Sequence, residues 1–127
     1  MALKDAYSHL GLRKAIPTDV ATTDYEIDMP TDNFVVKSVT CYNASGNNSS
    51  ATLGVFSGTG GASGNATIVA DAALTTHTAS TVVSERTVAA TAVTPKVTAD
   101  KLYVRIGTAS GVAGSTIDVI IHGYALP

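Results

Sequence analysis

Residues 101–126 hold two runs, split by a turn, in which aliphatic side chains recur at every second position, and this limits the possible folds of the chain more than any other feature. Between Lys101 and Ile106, the aliphatic Leu102, Val104 and Ile106 alternate with Lys101, Tyr103 and Arg105. A period of two puts the first set on one face of a strand and the second on the other, so this is a strand with one face in a core. A small-residue turn follows over 107–115. From Thr116 the pattern returns, with Ile117, Val119 and Ile121 set against Thr116, Asp118, Ile120 and His122. A last strand this apolar is an aggregation hazard unless its edges are paired, which predicts a place at the centre of a sheet or at a subunit interface.

The same signal recurs upstream. Tyr25, Ile27 and Met29 alternate with Asp24, Glu26 and Asp28. That acidic face needs solvent or cations, and Lys37 or Arg105 on a neighbouring strand is expected to supply them. Further strands are predicted over 34–43, 51–57, 65–70 and, with weaker patterning, 81–90. Residues 71–74 read as a helical turn or a bend. Runs rich in Ser, Asn and Gly at 44–50 and 58–64 punctuate them, as turns do. Charged residues make up only 14% of the chain, too few for the Glu, Lys and Arg surface of a helical protein. The expected fold is therefore all-β: an antiparallel β-sandwich, jelly-roll or immunoglobulin-like, of about seven or eight short strands in one domain. It occupies residues 21–127.

Residues 1–20 read differently, as an N-terminal arm. Leu3, Tyr7 and Leu10 are spaced four and three apart, which allows a short amphipathic helix interrupted at Gly11 and ended by Pro17. Such an arm is either frayed or a docking segment that orders on a partner. The first residues lack the basic start and apolar run of a signal peptide, and no stretch reaches the ~20 apolar residues of a membrane helix, so synthesis in the cytoplasm and no membrane partner are expected.

Motifs for chemistry are not found. The glycines at 58–64 carry no Lys-Ser/Thr and lead into a β-branched run, whereas a phosphate loop must open a helix. His9, His77 and His122 are far apart in sequence, so a metal site would need distant single ligands. Three carboxylates at alternating strand positions stand ~7 Å apart, too far for one calcium ion. The single cysteine, Cys41, excludes an internal disulfide and sits in an apolar alternating run, where a thiol is buried and inert. With Trp absent, stacking platforms for sugars are scarce. The net charge of −2 comes with scattered basic residues, which argues against a nucleic-acid partner. No catalytic residue, metal or cofactor is expected, and the chain is read as non-enzymatic. Its surplus of aliphatics on the last strand, Ile120 beside Val119 and Ile121, points instead to assembly.

Certain segments of residues 34–127 resemble a family of small virion structural proteins of tailed bacteriophages. They are 38–43 (Ser-Val-Thr-Cys-Tyr-Asn), 51–56 (Ala-Thr-Leu-Gly-Val-Phe) with the Gly-rich loop and Ile68-Val69, 102–107 (Leu-Tyr-Val-Arg-Ile-Gly), 116–119 (Thr-Ile-Asp-Val), and the Gly-Tyr-Ala-Leu-Pro ending. The resemblance implies a β-sandwich that decorates or cements the capsid exterior, with the major capsid protein as partner, a homotrimeric state and an N-terminal segment against the shell. On that reading Leu3, Tyr7, Leu10, Arg13 and Lys14 contact the shell, and Ile120, His122 and Tyr124 form the oligomer interface. The alternatives are a tail, neck or head-fibre component, or a receptor- or glycan-binding module acting through loops 44–50 and 58–65.

Overall fold

The structure, a computed structural model, describes residues 7–61, 67–89, 97–98 and 100–126. Two antiparallel sheets pack face to face. The strands are β1 (Tyr7–Pro17), β2 (Thr23–Asp28), β3 (Asn33–Ser45), β4 (Thr52–Phe56), β5 (Thr67–Ala73), β6 (Ser84–Arg86), β7 (Val97–Thr98), β8 (Lys101–Thr108) and β9 (Thr116–Ala125). One sheet runs β1-β9-β3-β6, with β7 paired to the same edge of β3 as β6, and the other runs β2-β8-β4-β5. Counting β6 and β7 as one interrupted strand, the first strand pairs with the last, the second with the next to last, and so on inward to β4 with β5. That winding is the jelly roll, and it decides between the two sandwich topologies the sequence left open. Among the described residues there is no α-helix, and no helix is long and apolar enough to cross a membrane.

The alternation read from the sequence is the alternation of burial, except at Asp118, expected on the polar face of β9 and buried between Ile117 and Val119. Leu102, Val104 and Ile106 of β8 and Ile117, Val119 and Ile121 of β9 are all fully buried, joined by Phe34, Val36, Val39 and Cys41 of β3 and by Leu53 and Val55 of β4. β9 lies between β1 and β3, the central placement its apolar character requires. Burial pushes the Cys41 thiol up to about 12, against a small lowering by Arg86, so it stays protonated and inert.

The acidic face of β2 is paired with cations across the sheet. Arg105 Nη1 meets Asp24 Oδ2 at 3.0 Å, and Lys101 Nζ lies 3.3 Å from Glu26 and 3.5 Å from Asp28. Arg105 thus plays its expected part, but Lys101 and not Lys37 is the second cation. Lys37 sits at an irregularity of β3, between Val36 and Ser38, in the opposite sheet. The hydrogen bond to Glu26, followed by the charges of Glu26 and Asp28, raises the pKa of Lys101 above its ordinary value.

From Tyr7 onward the expected N-terminal arm is a strand, with neither a helix nor a free end. Two irregularities in its pairing with β9, between His9 and Gly11 and between Arg13 and Ile16, break the period of two. Leu10 and Ile16 consequently both face the core. A twice-bulged strand brings its apolar residues round at uneven spacings, which is why it resembles a helical pattern. Of the other expected strands, 81–90 contracts to Ser84–Arg86, and residues 71–73 extend β5 where a helical turn or a bend was expected.

Candidate assembly face

The two outward faces of the sandwich differ in chemistry. On the β2-β8-β4-β5 sheet the outer rows carry Asp24, Glu26 and Asp28 against Arg105, Tyr103 and Lys101. On the other sheet the rows run across β1, β9 and β3. Leu12 pairs with Ile120 and Ile120 with Thr40; His9 pairs with His122 and His122 with Ser38; Tyr7 pairs with Tyr124 and Tyr124 with Val35. Directly paired residues of an antiparallel ladder share a face. These rows therefore place aliphatic, aromatic, imidazole and hydroxyl groups together in the middle of a sheet, where charge is scarce. Leu12 is 36% exposed, and Ile120, His122 and Tyr124 are half-buried.

The structure brings the residues expected at the oligomer interface onto one strand face and regroups those expected against a shell. Ile120, His122 and Tyr124 line the outer side of β9. Tyr7 stands opposite Tyr124 in register, so its backbone belongs to the same face as the interface set. Leu10 cannot serve as a shell contact: it is 4% exposed and packs in the core. Arg13 and Lys14 are exposed. Arg13 reaches across the open side of the sandwich, its guanidinium donating to the Glu26 carbonyl at 3.1 Å and lying 5.9 Å from the centre of the Tyr25 ring. Leu3 lies outside the described residues. His9 and Leu12 were missed as members of the face, because only the paired register of β1 reveals them.

Two devices hold this face in shape. The first is Asp118, a carboxylate 6% exposed in the central strand. Its Oδ1 accepts the Ala15 N–H at 2.8 Å, and its Oδ2 accepts from Asn43 Nδ2 at 3.1 Å. Ala15 and Asn43 occupy the irregularities of β1 and β3 on either side of β9, and both have positive φ, 53° and 54°. One side chain thus anchors two strained bulges.

The second is a polar knot under the loops at one end of the sandwich. Thr18 Oγ1 donates to Asn48 Oδ1 at 2.7 Å and lies 2.7 Å from Ser115 Oγ, which is 2.6 Å from Ser110 Oγ. Asn48 Nδ2 donates to the Thr116 carbonyl at 2.8 Å. The β1–β2, β3–β4 and β8–β9 loops are joined in this way, and the Asn48 N–H ties in the β5–β6 loop through the His77 carbonyl at 2.9 Å. Buried polar groups joined so completely fix a single arrangement. Residues that read as solvent-facing turn formers are here interior, Asn48 among them.

His77 belongs to this end. It is fully buried, with Nε2 2.5 Å from Ser84 Oγ and no partner for Nδ1. The tautomer that donates from Nε2 leaves Nδ1 a bare lone pair, which is cheaper to bury than an N–H. Burial, and then the charge of Arg86, lower its pKa below the ordinary value of 6.5. The folded state therefore binds fewer protons than the unfolded chain below that value, and the stability His77 contributes is lost as pH falls from about 6.5 toward the depressed folded value. Urea midpoints of the wild type are expected to fall between pH 7 and pH 5, and His77→Gln is expected to flatten that slope. Equal slopes for the two proteins would contradict the assignment.

Among the described residues, no group of three or more His, Cys, Asp or Glu side chains comes together as a metal site. No protein-family model and no curated protein matches the chain.

Proposed function

We propose that the chain is a non-enzymatic virion structural subunit of a tailed bacteriophage, a decoration protein that binds the capsid exterior as a homotrimer and stabilises the shell. The carrying observation is the contrast between the sandwich's two faces. One is charged and pairs its charges across β2 and β8; the other, over β1, β9 and β3, is centred on Ile120, Leu12, His122 and Tyr124. Depletion of charge at the middle of a surface, with aliphatic and aromatic groups in its place, is the composition of a subunit interface core. The jelly roll supports the reading without requiring it, since one fold serves many roles.

In this proposal the outer side of β9, with Leu12 of β1, mediates self-association, and exposed Arg13 and Lys14 meet the major capsid protein. Leu10 takes no part. Many copies on a regular lattice turn weak single contacts into firm attachment, and binding only to folded shell stabilises it by linkage. The test is co-sedimentation with empty shells of the phage that encodes the chain. Wild type is expected to pellet with shells and raise their disruption temperature. The double substitution Arg13→Glu, Lys14→Glu is expected to stay in the supernatant at physiological salt while keeping its oligomeric mass. Wild type that ignores shells would overturn the decoration reading and move the same assembly face to a tail, neck or fibre component.

A further inference from the structure

We propose that His9 and His122 form a two-imidazole site for a divalent transition metal of the Zn²⁺, Ni²⁺ or Cu²⁺ class, which clasps β1 to the central strand β9. The two residues are direct partners in the β1–β9 register. Their ring centroids are 6.1 Å apart and the rings are tilted by 58°. Opposed residues of an antiparallel pair leave the sheet on the same side with Cβ atoms ~4.5–5.5 Å apart, so the two imidazoles stand next to each other on the outer face.

The spacing suits one ion. A metal binds imidazole nitrogen at ~2.0–2.1 Å, so it bridges two neighbouring rings once they turn about their side-chain bonds. His9 is exposed and can make that turn without repacking the core, and the backbone need not move. Imidazole nitrogen selects Zn²⁺, Ni²⁺ and Cu²⁺, whereas Mg²⁺ and Ca²⁺ require oxygen donors. Far-apart single ligands brought together by the first-to-last strand pairing of a jelly roll leave no short-spaced motif. The remaining coordination positions fall to water or to a residue of a second copy, and the inference stands with or without assembly on this face.

Holding β1 against β9 gives the metal a structural role. Ligand bound to the folded state alone raises stability. The experiment is calorimetric titration of the full chain with ZnCl₂, NiCl₂, CuSO₄ and MgCl₂, with melting curves and NMR spectra recorded alongside. Saturable binding of about one equivalent of at least one of the three transition metals is expected, with none for Mg²⁺. Bound Cu²⁺ is expected to broaden the His9, His122, Leu12 and Ile120 signals before those of buried His77. His9→Ala and His122→Gln are each expected to weaken binding about tenfold or more, since a lone imidazole loses the effective concentration its neighbour supplies. At the same metal concentration, the melting temperature of the wild type should rise by more than that of His9→Ala. The exposed His9 makes its variant informative even if His122→Gln unfolds. Absence of saturable binding by all three metals, or binding unchanged in His9→Ala, would overturn the proposal.

Discussion

Gly123→Ala is expected to leave little or no folded protein at 37 °C, with a stability loss of about 3 kcal/mol or more. Gly123 is buried in β9, opposite Val36 of β3. A Cβ built there overlaps the carbonyl oxygen of Val35 and comes within 3.0 Å of Leu10 Cδ1. The obstacle is backbone of an adjacent strand, which cannot rotate away as a side chain can. Accommodating one methyl group means prising β3 from β9, the two strands that carry much of the core and most of the proposed assembly face. Gly11 is the instructive contrast. A Cβ there overlaps the Cγ2 methyl of buried Ile27 and the end of Met29, but the nearest backbone atom, the Asp28 carbonyl oxygen, is 3.3 Å away, so side chains and not a neighbouring strand must give way and Gly11→Ala is expected to cost less than Gly123→Ala. Soluble yield and urea denaturation measure both. A Gly123→Ala protein within about 0.5 kcal/mol of wild type would show that β3 and β9 are not packed as closely as described.

Asp118→Asn is the second large effect, an expected loss of about 2–3 kcal/mol. The carboxylate accepts two hydrogen bonds, from Ala15 N–H and Asn43 Nδ2, and has no donor of its own. An amide in its place can accept on one side only; on the other its NH₂ faces an N–H donor. The positive-φ conformations of Ala15 and Asn43 then lose the contact that holds them, and both irregularities beside β9 loosen. The same carboxylate, after burial itself, raises the pKa of the Tyr42 phenol, so in the variant the Tyr42 titration is expected to move back toward its ordinary range. Chemical denaturation followed at constant pH reads the first effect, and ultraviolet titration of tyrosine the second. An Asp118→Asn protein as stable as wild type would mean that the bulges are held by strand pairing alone.

What could be read from the sequence follows from how local each cause is. Burial at Leu102, Val104 and Ile106 is a property of one strand and shows as a period of two. The central position of β9 was inferable because its apolar character has few other safe placements. The Asp24–Arg105 pair was also legible, since it needs only that two patterned strands be neighbours. β1 was not, because irregularities after His9 and after Arg13 scramble its period and make Leu10 look like one side of a helix. Nor was the knot of Thr18, Asn48, Ser110 and Ser115: each residue has the composition of an exposed turn, and each is buried only because several loops meet at one end of the jelly roll. The regrouping of Tyr7, His9 and Leu12 with Tyr124, His122 and Ile120 depends likewise on the first strand finding the last. No local signal carries that pairing.

The central claim, that the outer side of β9 with Leu12 is an assembly surface, is tested most directly by sedimentation equilibrium of wild type and Ile120→Glu. Ile120 is half-buried on the outer side of β9, so a carboxylate there costs the isolated fold little but cannot be desolvated between copies without a partner. The expected result is a wild-type mass near three times the 12.9 kDa chain, and a folded monomer for Ile120→Glu. A monomeric wild type, or an oligomer whose mass is unchanged by the substitution, would contradict the account.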